Sequence, residues 1–210
     1  NVDVVVGTQA IIQEAVKFND LGLSIIDEQH RFGVSQRVTL RKAGGHLVVM
    51  SATPIPRSLA MTFLADLDVS TINELPKIRK PVDTRLVSSD RRVEICSRIQ
   101  VFIKNGGQVF WVCPMIDEPK DASRALSALK ATEKWLKPIF KNNLVVVHGK
   151  QNKEEKNLSM QKFVNGSAKI LLATTVIEVG INVPNAGLIV IENAERFGLA
   201  QLHQLRGRVG

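Results

Sequence analysis

The chain has 210 residues, 44% of them hydrophobic and 23% charged, a balance that fills a buried core and excludes a disordered or low-complexity chain. Lysine and arginine number 28 against 20 acidic residues, and the resulting charge of +8 suits a polyanionic partner, although a solvated basic surface reads the same way. Cys96 and Cys113 fit neither a zinc spacing nor a secreted disulfide framework, and no apolar run approaches the roughly 18 to 20 residues of a membrane span, so a reduced, cytoplasmic setting is expected.

Short apolar, β-branched runs recur along the chain at Val2 to Val6, Leu23 to Ile26, Leu47 to Met50, Val109 to Val112, Leu144 to Val147, Ile170 to Leu172 and Leu188 to Ile191. They are nearly continuous rather than alternating, the pattern of strands covered on both sheet faces. Helical spacing lies between them. After Ser89-Asp90, a plausible N-cap, apolar residues fall at Val93, Cys96, Ile99 and Ile103, and Gly106-Gly107 stops the run. Ala122, Ala125, Leu126, Leu129, Leu136 and Ile139 form a second stripe, and Asn152 with Glu155 reads as a capping box for a helix ending near Gly166. Strand and helix alternate, so the predicted class is α/β with mainly parallel sheets. Glu74 to Pro81, with two prolines and four charges in eight residues, makes no core element and serves as the boundary between domains at 1–82 and 83–210.

Two strand ends carry chemistry in the first half. Leu23 to Ile26 delivers Asp27, Glu28, Gln29 and His30 to its carboxyl end, where open α/β sheets place ligands. One carboxylate can hold Mg²⁺ through its water shell while the neighbour polarises water; a charged turn after a strand has the same residues. Leu47 to Met50 leads into Ser51-Ala52-Thr53-Pro54, whose hydroxyls can bond a carboxylate or His30, or simply cap the next helix. In the second half, His148-Gly149, Thr174-Thr175 through Gly180-Ile181-Asn182, and Gln204-Leu205-Arg206-Gly207-Arg208 follow in order. Hydroxyls and backbone N–H groups at strand-to-helix turns cradle phosphates, and guanidinium forks reach phosphoryl groups or a DNA backbone. A solvated basic turn is the plain alternative for the arginines.

The order of these segments resembles the helicase motor proteins of superfamily two, and within them the RecG family of ATP-dependent DNA helicases of bacterial recombination and fork rescue. The resemblance rests on Gly7 to Gln13, Asp27 to Val34, Ser51 to Arg57, Asp66 to Asp68, Asn73 to Pro76, Ile177 to Gly180 and Glu195 to Leu199 running into Gln204 to Gly210. It is collinear over essentially the whole chain. Gln29, the Glu-Leu-Pro linker and Phe110 to Pro114 favour it over the transcription-repair coupling translocases, whose motor is similar and which stand as the alternative.

The resemblance implies two RecA-like parallel-sheet lobes in tandem, the first truncated at its N-terminus, working on ATP, Mg²⁺ and branched or forked DNA in the bacterial cytoplasm, near the nucleoid, as a monomer. Asp27 would hold Mg²⁺, Glu28 would activate water, and Gln29 and His30 would couple to Ser51 and Thr53. Gly7, Thr8, His148, Thr174 and Thr175 would contact DNA. Gly180 and Asn182 would serve the nucleotide, with Asn182 standing where relatives usually carry aspartate. Gln204 and Arg208 would face the γ-phosphate from the second lobe. No Gly-x-x-x-x-Gly-Lys-Ser/Thr loop occurs in the 210 residues. With no initiator Met before Asn1 and Gly210 directly after a basic cluster, both ends read as cuts; the loop is expected roughly 80 to 110 residues before Asn1, and the chain alone is expected to be inactive as an ATPase. A catalytically silent nucleic-acid-binding module and a metallohydrolase using Asp27 and His30 are the readings of other classes.

Overall fold

The computed structural model describes residues 2–13, 15–28, 33, 39–40, 44–51, 68–72, 74, 81–114, 122–174 and 183–209, with side chains of 122–125 excepted. The chain divides into two compact units, Asn1–Val69 and Ser70–Gly210.

In the first unit, β1 (Leu23–Ile26) pairs in parallel with β2 (His46–Val49), with Leu23 opposite His46 and Ile26 opposite Val49. Burial along β1 alternates, with Ser24 and Ile26 inside and Leu23 and Ile25 outside, so only one face of this ribbon is covered. The expectation of two covered faces thus does not hold among the described residues of this unit. Gly45 lets the chain enter β2: its φ is +78°, and a Cβ there would lie 2.1 Å from the Leu21 carbonyl oxygen. The expected strand Val2 to Val6 is irregular and exposed, Val6 to 92%. An apolar run becomes a strand only where a neighbour satisfies its N–H and C=O groups, and no described strand lies beside this one.

The second unit holds β3 (Gln108–Val112), β4 (Leu144–Val147), β5 (Ile170–Ala173) and β6 (Ala186–Ile191) in the order β4-β5-β3-β6, every pair parallel. The two central strands, β3 and β5, are buried at every position, as their unbroken apolar runs predict. Helices α1 (Arg92–Lys104) and α2 (Ala122–Phe140) cover one face, where Cys96, Ile99, Leu129 and Leu136 pack on Val109, Trp111, Ile170 and Leu172. Helices α3 (Lys153–Val164) and α4 (Leu199–Arg206) cover the other, where Phe163 and Leu205 join Phe110, Val112, Leu171 and Ala173.

Local signals set the helix ends. Ser89–Arg91 forms a 3-10 turn before α1, so the cap expected at Ser89-Asp90 is displaced, and Gly106, at φ +90°, follows the helix end. Pro138 sits in the last turn of α2, where its missing N–H costs one bond before the chain tightens into a 3-10 turn at Lys141–Asn143. Asn152 caps α3 by accepting the Glu155 amide at 2.8 Å, as its spacing predicts. The buried Gln108 donates to the Phe163 and Ala168 carbonyls and ties the end of α3 to the sheet. Val82, which the sequence reading places at the end of the first domain, packs against the core of the second unit.

Candidate functional site

Asp27 and Glu28 follow β1 directly, and Ser51 stands two residues beyond β2, past the Met50 amide that donates to Ile26 at 2.7 Å. The parallel pairing therefore brings the carboxylates and Ser51 to the same, carboxyl, end of the ribbon. Asp27 is exposed, Glu28 half-buried, and an Asp27 carboxylate oxygen accepts the Glu28 amide at 2.9 Å. Glu28 has φ 53°, a left-handed conformation that a side-chain-bearing residue adopts only where its surroundings hold it. Adjacent carboxylates are a hard, all-oxygen donor pair, which fits a hydrated Mg²⁺. Gln29, His30 and Thr53 lie outside the described residues. Gly7 and Thr8 are exposed ahead of a 3-10 turn, Gln9–Ile12, and a Cβ at Gly7 would come within 2.6 Å of Ile11 Cγ2.

In the second unit, Val147 is opposite Ala173, so His148 and Thr174 end two neighbouring strands side by side. Thr174 is 5% exposed, and neither its Oγ1 nor His148 Nδ1, both buried, has a hydrogen-bond partner among the described residues. A buried polar atom left unsatisfied costs about 1–3 kcal/mol, and these two stand at the carboxyl ends of parallel strands, the end where open α/β sheets place their ligands. Gln151 holds the first of these turns: its side chain accepts the His148 amide at 3.0 Å and donates to Val146 at 3.2 Å. Thr175, Gly180 and Asn182 lie outside the described residues. Gln204 sits on α4 and Arg208 just after it, where the Arg208 amide donates to Leu205 at 3.0 Å. Arg206 donates to the Val82 carbonyl at 3.3 Å, so this guanidinium is engaged within its own unit.

A cluster that motif reasoning passed over stands at the same end of β3 and β6. Glu192, the residue after β6, accepts from Arg92 at the start of α1 and from Trp111 Nε1 at 2.8 Å; the Thr132 hydroxyl donates to its second oxygen at 3.5 Å. The Arg92 guanidinium lies 4.1 Å from the Trp135 ring centroid and 5.9 Å from that of Trp111. The only sequence signal was that both tryptophans and a carboxylate adjoin apolar segments. Beside this cluster, burial first and the Glu192 charge second push the Cys113 thiol from 9.0 up to about 12. Burial likewise raises Cys96 to about 11. Neither thiol is a nucleophile near neutral pH. Among the described residues, which do not include His30, no group of three His, Cys, Asp or Glu side chains is arranged to hold a metal.

These parallel strands, with polar groups gathered at their carboxyl ends, define a RecA-like helicase lobe, and residues 91–210 match the helicase conserved C-terminal domain; the chain belongs to that family. Over its full length it is similar to particular helicases. It is 52% identical to the ATP-dependent DNA helicase RecG of Haemophilus influenzae, covering 100% of this chain and 31% of that protein. It is 53% identical to RecG of Thermotoga maritima, covering 100% and 27%, and 51% identical to RecG of Escherichia coli K12, covering 100% and 31%. The chain thus spans less than a third of the length of these curated relatives.

Solved structures share the fold at low identity. S. cerevisiae Dbp5 bound to RNA and ADP BeF3 superposes with a TM-score of 0.57 at 14% identity, over 96% of this chain and 54% of that one. The Mycobacterium smegmatis helicase Lhr bound to ssDNA and AMP-PNP gives 0.52 at 17%, over 90% and 27%.

Proposed function

We propose that the chain is part of the motor core of an ATP-dependent DNA helicase that remodels branched DNA, such as replication forks and Holliday junctions, in recombination and repair. The observation that carries this reading is the collinear identity of about half of all residues with RecG helicases, without loss of coverage anywhere along the chain. The protein then acts in the bacterial cytoplasm on DNA, as a monomer, and its lobes divide at residues 82 and 83. No helix among the described residues is long and apolar enough to cross a membrane.

The residues take the following parts. Asp27 holds Mg²⁺ through water, and Glu28 orients or deprotonates the attacking water. Mg²⁺ held by Asp27 at this position would supply positive charge against the phosphates. Gln29 and His30 relay the nucleotide state to Ser51 and Thr53. Gly180 and Asn182 line the nucleotide, the Asn182 amide accepting a ribose hydroxyl. Gln204 and Arg208, both in the second lobe, meet the γ-phosphate and stabilise the charge that develops on it. Gly7, Thr8, His148, Thr174 and Thr175 grip the DNA backbone. The unsatisfied His148 and Thr174 atoms support that assignment, since phosphate oxygens and their bound waters supply the missing partners.

The test uses the intact helicase. Glu28→Gln is expected to abolish DNA-stimulated ATP hydrolysis while ATP binding persists, and Arg208→Ala to lower kcat about a thousandfold. An intact protein that binds DNA with no ATPase would refute the motor and favour a silent binding module.

A further inference from the structure

The β6–α4 connection is anchored on both faces of its sheet. At its start Glu192 turns into the α1/α2 side and meets Arg92, Trp111 and Thr132. The Glu192 amide is itself tied to the Val112 carbonyl at 2.9 Å. Five residues later Phe197, 8% exposed, is buried in the cluster on the α3/α4 side, together with Leu205 of α4. Between the anchors the chain reverses through Asn193 at φ 50° and a 3-10 turn, Ala194–Arg196. The Gly198 amide then donates to Gln201 Oε1 at 3.1 Å and starts α4.

Arg92 and Glu192 are half-buried, and an ion pair partly withdrawn from water gains little net stability, because desolvation offsets much of the attraction. Direction is what it supplies. Arg92, its guanidinium set over the Trp135 ring, donates through Nη2 to the same Glu192 oxygen, Oε1, that accepts the Trp111 N–H, so that oxygen is held from two directions. The residue that follows β6 is therefore held in place, and the short connection passes that position on to α4.

We infer that Glu192 is a positioning residue: through Arg92 and Trp111 it fixes the register of α4, and so where Gln204 and Arg208 stand relative to the nucleotide. The clamp itself is read from the contacts above; its consequence for hydrolysis rests on the role proposed for Gln204 and Arg208.

Two measurements on the intact helicase separate these parts. In Glu192→Gln, hydrogen exchange at the amides of Leu202, Gly207 and Arg208 is expected to accelerate at least about tenfold, with Asn165 and Gly166 at the end of α3 unchanged. At a temperature where the variant is fully folded, kcat for DNA-stimulated ATP hydrolysis is expected to fall about tenfold while KM for ATP stays within about twofold. Trp111→Phe keeps the ring and removes the N–H, so it should move both readouts in the same direction by a smaller factor, which covers failure of the first variant to fold. Unchanged exchange in α4 overturns the clamp. Faster exchange with unaltered kcat overturns its role in hydrolysis. A wild-type protein without ATPase sinks the proposed function instead, and the exchange result still decides the clamp.

Discussion

Single residues in this chain do more than their types suggest. Asn152 donates nothing to a core, yet its side chain satisfies one of the amides that α3 leaves open. Asn152→Ala should destabilise the second unit by about 1 kcal/mol, read by urea unfolding. The two thiols carry a pH dependence whose sign follows from burial. Folded Cys113 and Cys96 titrate at about 12 and about 11, against an ordinary 9.0. Above pH 9 the unfolded chain therefore releases protons that the folded chain retains, and unfolding is favoured. The thiol contribution to stability is complete below that value and is lost as pH rises through 11 and 12. Urea midpoints should decline from pH 8.5 upward, more shallowly in the Cys96→Ala/Cys113→Ala variant; parallel declines would show that burial of the thiols is not the cause. At this scale the Asn152–Glu155 cap was legible because it is local, whereas Glu192 was not, because its partners Arg92, Trp111 and Thr132 come from three distant segments.

Elements show where neighbouring backbone overrides side-chain preference. Val2 to Val6 has as strong a strand composition as β4, yet among the described residues only β4 of the two has a partner strand to satisfy its backbone. The β1–β2 ribbon depends on close approach at Gly45. Gly45→Ala would require a Cβ 2.1 Å from the Leu21 oxygen at a positive φ. It should cost upward of about 1–3 kcal/mol and disrupt β1–β2 pairing. Amide spectra are expected to change across Leu23–Val49 while β3 to β6 keep their shifts. On α3, Phe163 is fully buried, with its ring 5.2 Å from that of Phe110. Phe163→Ala should cost about 3–5 kcal/mol by removing apolar contact and leaving a cavity under the sheet.

The molecule as a whole is two units of unequal self-sufficiency. The second has a four-stranded sheet with helices on both faces; the described part of the first is a two-stranded ribbon with one face exposed. A lone pair of strands is at best marginally stable in water. Limited proteolysis of the chain is therefore expected to leave a protected fragment starting near residue 81 to 87. Protection of the N-terminal half with digestion of the other would contradict this. ATPase turnover by the chain alone, at a level comparable to an intact helicase, would contradict the absence of a phosphate loop in these 210 residues.

Unbroken apolar runs, helical spacing and glycine stops pointed to seven strands, six of which form among the described residues, to their parallel α/β class and to the strand ends that carry Asp27, Glu28, His148 and Thr174. These are properties of nearest neighbours along the chain, where periodicity and capping act. Only tertiary structure decided that, among the described residues, His148 and Thr174 lie side by side with unsatisfied atoms, that Val2 to Val6 has no described partner strand, and that Glu192 joins three remote segments. Sheet order and long-range polar contacts depend on which segments meet in space, a choice set by competition among many similar apolar surfaces and written in no single stretch of sequence.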